Sequence, residues 1–105
     1  MTVPPKVTSA SSPSAVSLLV YFSEPLRNDT VSTAAYTLGG AGCPTATSGT
    51  PVQVASGVVS RTVTSVDGNH TGCTVTVSGV RDLTGELIAG TNNSATYNYN
   101  GTTGG

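Results

Sequence analysis

Few side chains in this chain of 105 residues are able to do chemistry, and their spacing is loose. His70 is the only histidine and lies in the glycine-rich segment Asp67-Gly68-Asn69-His70-Thr71-Gly72. A catalytic base needs a nucleophile and an orienting group within hydrogen-bond reach. Thirteen serines are nominal nucleophiles, yet no nucleophile elbow or other motif places one beside His70. A solvated loop histidine is the simpler reading, and its replacement by alanine is expected to change little. Gly39-Gly40-Ala41-Gly42 lacks a following Lys-Ser/Thr pair and is no phosphate loop. The chain reads as non-enzymatic.

Cys43 and Cys73 fit no metal-ligand spacing and have only His70 as a nitrogen neighbour. One cysteine pair in a chain rich in Ser and Thr and poor in charge points to a disulfide and to life outside the cytosol. Glu24, Asp29, Asp82 and Glu86 are hard oxygen donors of the kind calcium takes, although no EF-hand or glycine-aspartate repeat spaces them. Tyr21 falls on the solvent face of its strand by alternation, and Tyr97 and Tyr99 share a face. A platform for stacking on sugar rings is one reading of these tyrosines. With no tryptophan and five aromatics in all, tyrosines filling a small core are the commoner explanation. Asn28, Asn69, Asn92 and Asn100 each open an N-x-S/T sequon, which matters only in a glycosylating host.

The elements that would position these groups are strands. Charged residues are 9% of the chain, against roughly 25% in an average domain. Ser and Thr fill 31 positions and Val another 14, so β-branched residues dominate and strands are favoured over helices. The organising stretch is Val16 to Leu26. There Val16, Leu18, Val20 and Phe22 form one apolar face, and Ser23-Glu24-Pro25 stops the strand. Other strands are expected over Val3–Ser9, around Tyr36 and Leu38, around Val52 and Val54, over Val59–Val66, from Cys73 to Val77 and from Ala95 to Tyr99. Pro4-Pro5 would hold the first of them to a sheet edge. Ser11–Ser14 reads as a turn, Arg27–Thr33 as a polar loop, Ala41–Pro51 as irregular and Val80–Gly90 as a loop. Seven short strands with no helical period make one all-β sandwich domain over residues 1–100, followed by a flexible Gly/Thr tail at 101–105.

A net charge of −1 leaves no electrostatic footprint for nucleic acid. The longest apolar run, Leu18 to Phe22, falls far short of the ~20 residues that span a bilayer, so no membrane insertion is expected. Met1 to Pro5 has neither the basic region nor the hydrophobic stretch of a signal peptide.

VYFSEPL at 20–26, AAYTL at 34–38, RTVTSV at 61–66 and VSGVRDLTGELIAG at 77–90, in this order, resemble the bacterial Ig-like domain of S-layer and other surface proteins. That family shows a strand ending F-S-E-P-L, a Y-T-L strand and a G-V-x-D-x-x-G-N turn, and the likeness runs from Lys6 to Tyr99. Glu86 departs from it, standing where the family has asparagine. The cysteine pair and the Gly/Thr-rich loop before Pro51 also lie outside the pattern. The resemblance implies an Ig-like Greek-key β-sandwich of about seven strands, A to G, whose third and sixth strands are antiparallel neighbours. Cys43 and Cys73 would then share one pole, in agreement with a disulfide. The other pole would gather Glu24, Asp29, Asp82 and Glu86 beside Arg27 and Arg81, as a calcium site or as ordinary turn hydrogen bonding. Some surface domains of this kind carry a lysine–asparagine isopeptide bond, which here would join Lys6 to Asn98 or Asn100, but no acid has an evident inward position to assist it.

The function so implied is that of a non-catalytic structural module. It would act as a spacer, adhesion or assembly unit of an extracellular or cell-surface protein, partnered by neighbouring domains or identical subunits. Two other readings stay open. Met1 without a leader fits a stand-alone decoration subunit on a virion surface or a filament subunit, and the tyrosines fit a carbohydrate-binding accessory domain. No cofactor is expected apart from the calcium alternative.

Overall fold

Short runs of alternating Val and Thr become strands because branched side chains pack well on a pleated, half-buried surface. The computed structural model describes residues 4–101. In chain order the elements are β1 (Val7–Ser14), β2 (Ser17–Phe22), α1 (Asn28–Val31), β3 (Ala35–Gly39), β4 (Thr47–Ala55), β5 (Val58–Val63), β6 (His70–Ser78) and β7 (Ser94–Tyr99). One antiparallel sheet has the order β1-β2-β5-β4 and the other β3-β6-β7. This is the ABED and CFG division of an Ig constant-type sandwich, the all-β Greek-key fold expected.

The core lies where the inner faces meet. Leu18, Val20 and Phe22 of β2 and Val59 and Val63 of β5 come from one sheet. Cys73, Val75 and Val77 of β6, Leu38 of β3 and Tyr97 and Tyr99 of β7 come from the other, and all of them belong to one buried cluster. The loop after β6 adds Val80 and Ile88 to it. Strand direction divides the connections between two poles. The start of β1 and the links after β2, β4 and β6 lie at an entry pole; the links after β1, β3 and β5 and the end of β7 lie at an exit pole. The molecule measures 51 × 23 × 18 Å.

Several boundaries differ from the sequence reading, each for a local reason. β1 runs through Ser11–Ser14, and the turn falls at Ala15-Val16, leaving Val16 49% exposed rather than in the core. Two register shifts in β1 accommodate this, and Pro13 is tolerated because an edge strand can spare a donor. Residues 27–33 contain the helical turn α1, whose Val31 is 1% exposed; one apolar residue in a polar stretch carries no period to read. β4 begins inside the segment read as irregular. The register slips by two residues between Ser48 and Val52, where Gly49 has φ +70°, which keeps the alternation: Thr47, Pro51 and Gln53 share the inward face while Val52 and Val54 face solvent. β5 ends at Val63 rather than Val66. Residues 1–3 and 102–105, which hold the start of the first expected strand and most of the expected tail, lie outside the described residues.

Arg61 of β5 closes the seam between the sheets on the β3/β4 side. Its guanidinium donates to the carbonyls of Ser48 and Gly49 and to Thr47 Oγ1. It also sits 5.6 Å from the ring centroid of Tyr36 in the other sheet. Burial pushes the Tyr36 hydroxyl up to about 12, with Arg61 acting weakly in the opposite direction.

Cys43 and Cys73 form a disulfide, with Cα atoms 5.7 Å apart. It joins the loop after β3 to β6 within one sheet, and both cysteines are buried. The bridge closes a loop with a sequence separation of 30, for which chain entropy alone gives about 3–4 kcal/mol. A Cys43→Ser variant should therefore lose that much in a denaturant melt, and the unreduced native protein should show no alkylatable thiol.

Candidate functional site

Both poles carry the polar groups that the strands lack. At the entry pole the chain is anchored by a pair of backbone-level contacts: Lys6 N–H donates to Ser23 Oγ at 3.0 Å, and Ser23 N–H donates to the Lys6 carbonyl at 2.9 Å. Leu26 and Asp82 then form an isolated antiparallel bridge between the loops after β2 and β6. Asp82 is 3% exposed, and its Oδ1 accepts from Thr84 N–H, Thr84 Oγ1 and Glu86 N–H. This folds 82–86 into a turn around one carboxylate oxygen. A hydrogen bond from Glu24 and those from the Thr84 hydroxyl and the turn amides hold Asp82 down at about 2, against burial, which acts upward. The same contact with Asp82 raises Glu24, because only the protonated carboxyl can donate in it; desolvation and the charges of Asp82 and Glu86 add to the rise.

Asp29 is turned away to an exposed pair with Arg27 at 3.2 Å. Arg81 donates to the Gly85 carbonyl. The sequence reading is right that Glu24, Asp82 and Glu86 share a pole. They do not converge as a cage, however: among the described residues no group of three or more His, Cys, Asp or Glu side chains is placed to hold a metal ion. The Asp82 carboxylate is directed to the amides and hydroxyl of its own turn, Glu24 to Asp82, and Asp29 to Arg27.

The residue that organises this pole was missed. Gln53 Oε1 accepts from the N–H groups of Leu26 and Gly57, and its Nε2 donates to the Leu26 carbonyl and to Asn28 Oδ1. One side-chain amide thus satisfies three backbone groups from two loops. Beside it opens a cleft of about 350 Å³, walled by Pro25, Leu26, Asn28, Ala55 and Leu83. In sequence, Gln53 between two valines reads as the polar, outward position. Alternation by itself does not say which of the two faces meets the core; Gln53 faces in because it pairs opposite the buried Val59.

The tyrosines do not form a sugar platform. Tyr97 and Tyr99 are 4% and 1% exposed inside the sandwich, while Tyr21 is half-buried on the outside of the other sheet. Alternation toward the core explains the first two, as the commoner reading had it. Tyr99 serves the exit pole instead: its hydroxyl donates to the Ala15 carbonyl at 2.6 Å and accepts from Val66 N–H at 3.1 Å. His70 is the first residue of β6 rather than a loop residue, pairing with Tyr99 and stacking on its ring at 6.3 Å. Its Nε2 is 2.8 Å from the Asp67 carbonyl, and its ring packs so closely on Gly42 that a Cβ there would approach to 2.7 Å. His70 therefore has packing partners, which corrects the expectation of a solvated histidine. Lys6 stands at the entry pole and Asn98 and Asn100 at the exit end of β7, so the isopeptide reading fails on distance.

The chain is similar in structure to the N-terminal part of the bacterial S-layer protein SbsC, with 22% identity and a TM-score of 0.72 over 93% of this chain and 24% of that one. It is similar also to surface layer protein SbsC, domains 1-6, with 26% identity and a TM-score of 0.68 over 91% of this chain and 14% of that one. The chain thus spans about a quarter or less of the length of these proteins. No protein-family model and no curated protein matches the sequence.

Two outcomes follow from the entry pole. Gln53→Ala leaves the buried Leu26 amide without its partner and should cost about 1–3 kcal/mol in a denaturant melt, with no change in the disulfide. The second concerns pH. Asp82, with a lowered pKa, contributes stability that is present above the ordinary aspartate range and is lost as pH falls toward about 2. Glu24, with a raised pKa, contributes stability below the ordinary glutamate range that is lost as pH rises through its folded value. Glu24→Gln keeps a donor to Asp82 without the charge. Its melting temperature should exceed that of the parent at neutral pH and converge on it as Glu24 protonates in mild acid; parallel curves over that range would contradict the pairing.

Proposed function

We propose that this domain is a non-catalytic structural module of an extracellular or cell-surface protein, acting as a spacer between neighbouring domains or subunits. The observation that carries the reading is directional: the chain enters at one pole and leaves at the other of an elongated body, 51 Å in its longest dimension. A rod of that form transmits length from one neighbour to the next. The structural likeness to parts of S-layer proteins, over more than nine-tenths of this chain, supports the same reading. So does the disulfide, which belongs to oxidising compartments. The non-catalytic part rests on the roles already occupied by the reactive groups, with His70 packed on Tyr99 and Gly42 and Asp82 bound within its own turn.

The test is a head-to-tail fusion of two copies, studied by small-angle scattering. The maximum dimension should grow by about one module, near the 51 Å of a single copy. A compact, side-by-side pair would reject the spacer reading.

A further inference from the structure

The exit pole carries a reactive pair that the spacer role does not use. Asn100 is followed by Gly101, and an Asn-Gly bond is open to succinimide chemistry because glycine places no side chain in the way of ring closure. Packing allows nothing else at this position. A Cβ on Gly101 would run into the carbonyl of Gly68 and would come within 2.7 Å of the Tyr99 ring and 2.8 Å of the Val66 carbonyl. The tight exit from β7 therefore imposes the glycine, and the glycine makes Asn100 vulnerable.

Both reacting groups are held in place. Gly101 N–H, the nucleophile once deprotonated, donates to Asn69 Oδ1 at 3.1 Å. Asn100 Nδ2, the leaving group, donates to the Ser12 carbonyl at 2.7 Å, and Asn100 N–H donates to Ser12 Oγ at 3.4 Å. We propose that Asn100 is a deamidation site gated by this clasp, so that local opening of the exit pole sets the rate of its modification. On opening, Gly101 N loses its proton to solvent base and attacks Asn100 Cγ. The new C–N bond closes the succinimide, the Cγ–Nδ2 bond breaks, and Nδ2 takes up a proton from water and leaves as ammonia. Water then adds to one of the two imide carbonyls and opens the ring to aspartate or isoaspartate. No electron transfer is involved. The product carboxylate has no donor for the Ser12 carbonyl, so the clasp between β1 and the end of β7 does not reform. Modification thus turns a transient opening into a permanent one at the place where the chain leaves the sandwich.

The experiment incubates the folded protein, its Asn69→Ala and Asn69→Asp variants and a free peptide spanning Ala95 to Gly105 at mildly alkaline pH. Each Asn is followed by peptide mapping with isoaspartate detection. The peptide should react fastest and the parent protein slowest. Asn69→Ala should modify Asn100 about fivefold faster than the parent, the population shift that one neutral hydrogen bond carries. Asn69→Asp keeps an acceptor oxygen for Gly101 N–H and should stay near the parent rate. Asn93, whose Nδ2 donates to the Val77 carbonyl at the entry pole, is the internal control and should not change. A parent protein as fast as the peptide, an unaltered rate in Asn69→Ala, or a rise at Asn93 in step with Asn100 would each overturn the gating.

Discussion

Two apolar faces have to meet before anything else in this molecule can form. Leu18, Val20 and Phe22 on β2 and Val75 and Val77 on β6 are all at least nine-tenths buried, within one cluster that spans both sheets. Each such side chain contributes about 1.5–3 kcal/mol on leaving water. Apart from the disulfide and the polar clamps at the poles, little else is available. Charged residues are 9% of the chain, and the Arg27–Asp29 ion pair is too exposed to contribute much. Burial between the sheets sets the register of every strand, because a one-residue slip would turn these faces to solvent.

Once the strands are placed, their ends leave backbone groups that cannot all pair within a sheet. The poles answer this with single side chains that each serve several partners. Gln53 satisfies Leu26 and Gly57, Asp82 gathers the amides of its own turn, and Tyr99 joins the Ala15 carbonyl to the Val66 amide. Buried backbone groups without partners are costly, which is why these polar residues sit half or fully inside. Arg61 does the same for the bulged part of β4. Of the four acids read as cation ligands, Asp82 is spent on this requirement, while Asp29 pairs with Arg27 at the surface.

This arrangement is consistent with the proposed spacer role. The chain enters the sandwich at one pole and leaves it at the other, and His70 and Asp82 are engaged in contacts within their own poles. β4 lies at the edge of its sheet, where Pro51 and the bulge at Gly49 interrupt the pairing that an open strand would offer to another chain. The clasp at Asn100 shows the cost of a tight exit: the glycine that fits there also admits succinimide chemistry, and Asn69 holds it in check.

The sequence by itself determined the class of fold. The apolar run Leu18–Phe22 and the alternation in Cys73–Val77 and in Ala95–Tyr99 were enough to locate β2, β6 and β7, because a strand facing one core has a period of two. The order of the strand and turn motifs was enough to anticipate that Cys43 meets Cys73 and that Glu24 and Asp82 share a pole. What the tertiary structure decided is which face of a strand meets the core and which loops meet each other. In β4, Gln53 lies opposite the inward-facing Val59, so Gln53 faces in while Val52 and Val54 face out; alternation gives the period but not which face meets the core. The same holds for Val31 in α1, for Ser12 and Asn100 closing β1 on β7, and for His70 against Gly42. These contacts join residues distant in the chain, and their partners become visible only when burial has brought the loops of one pole together.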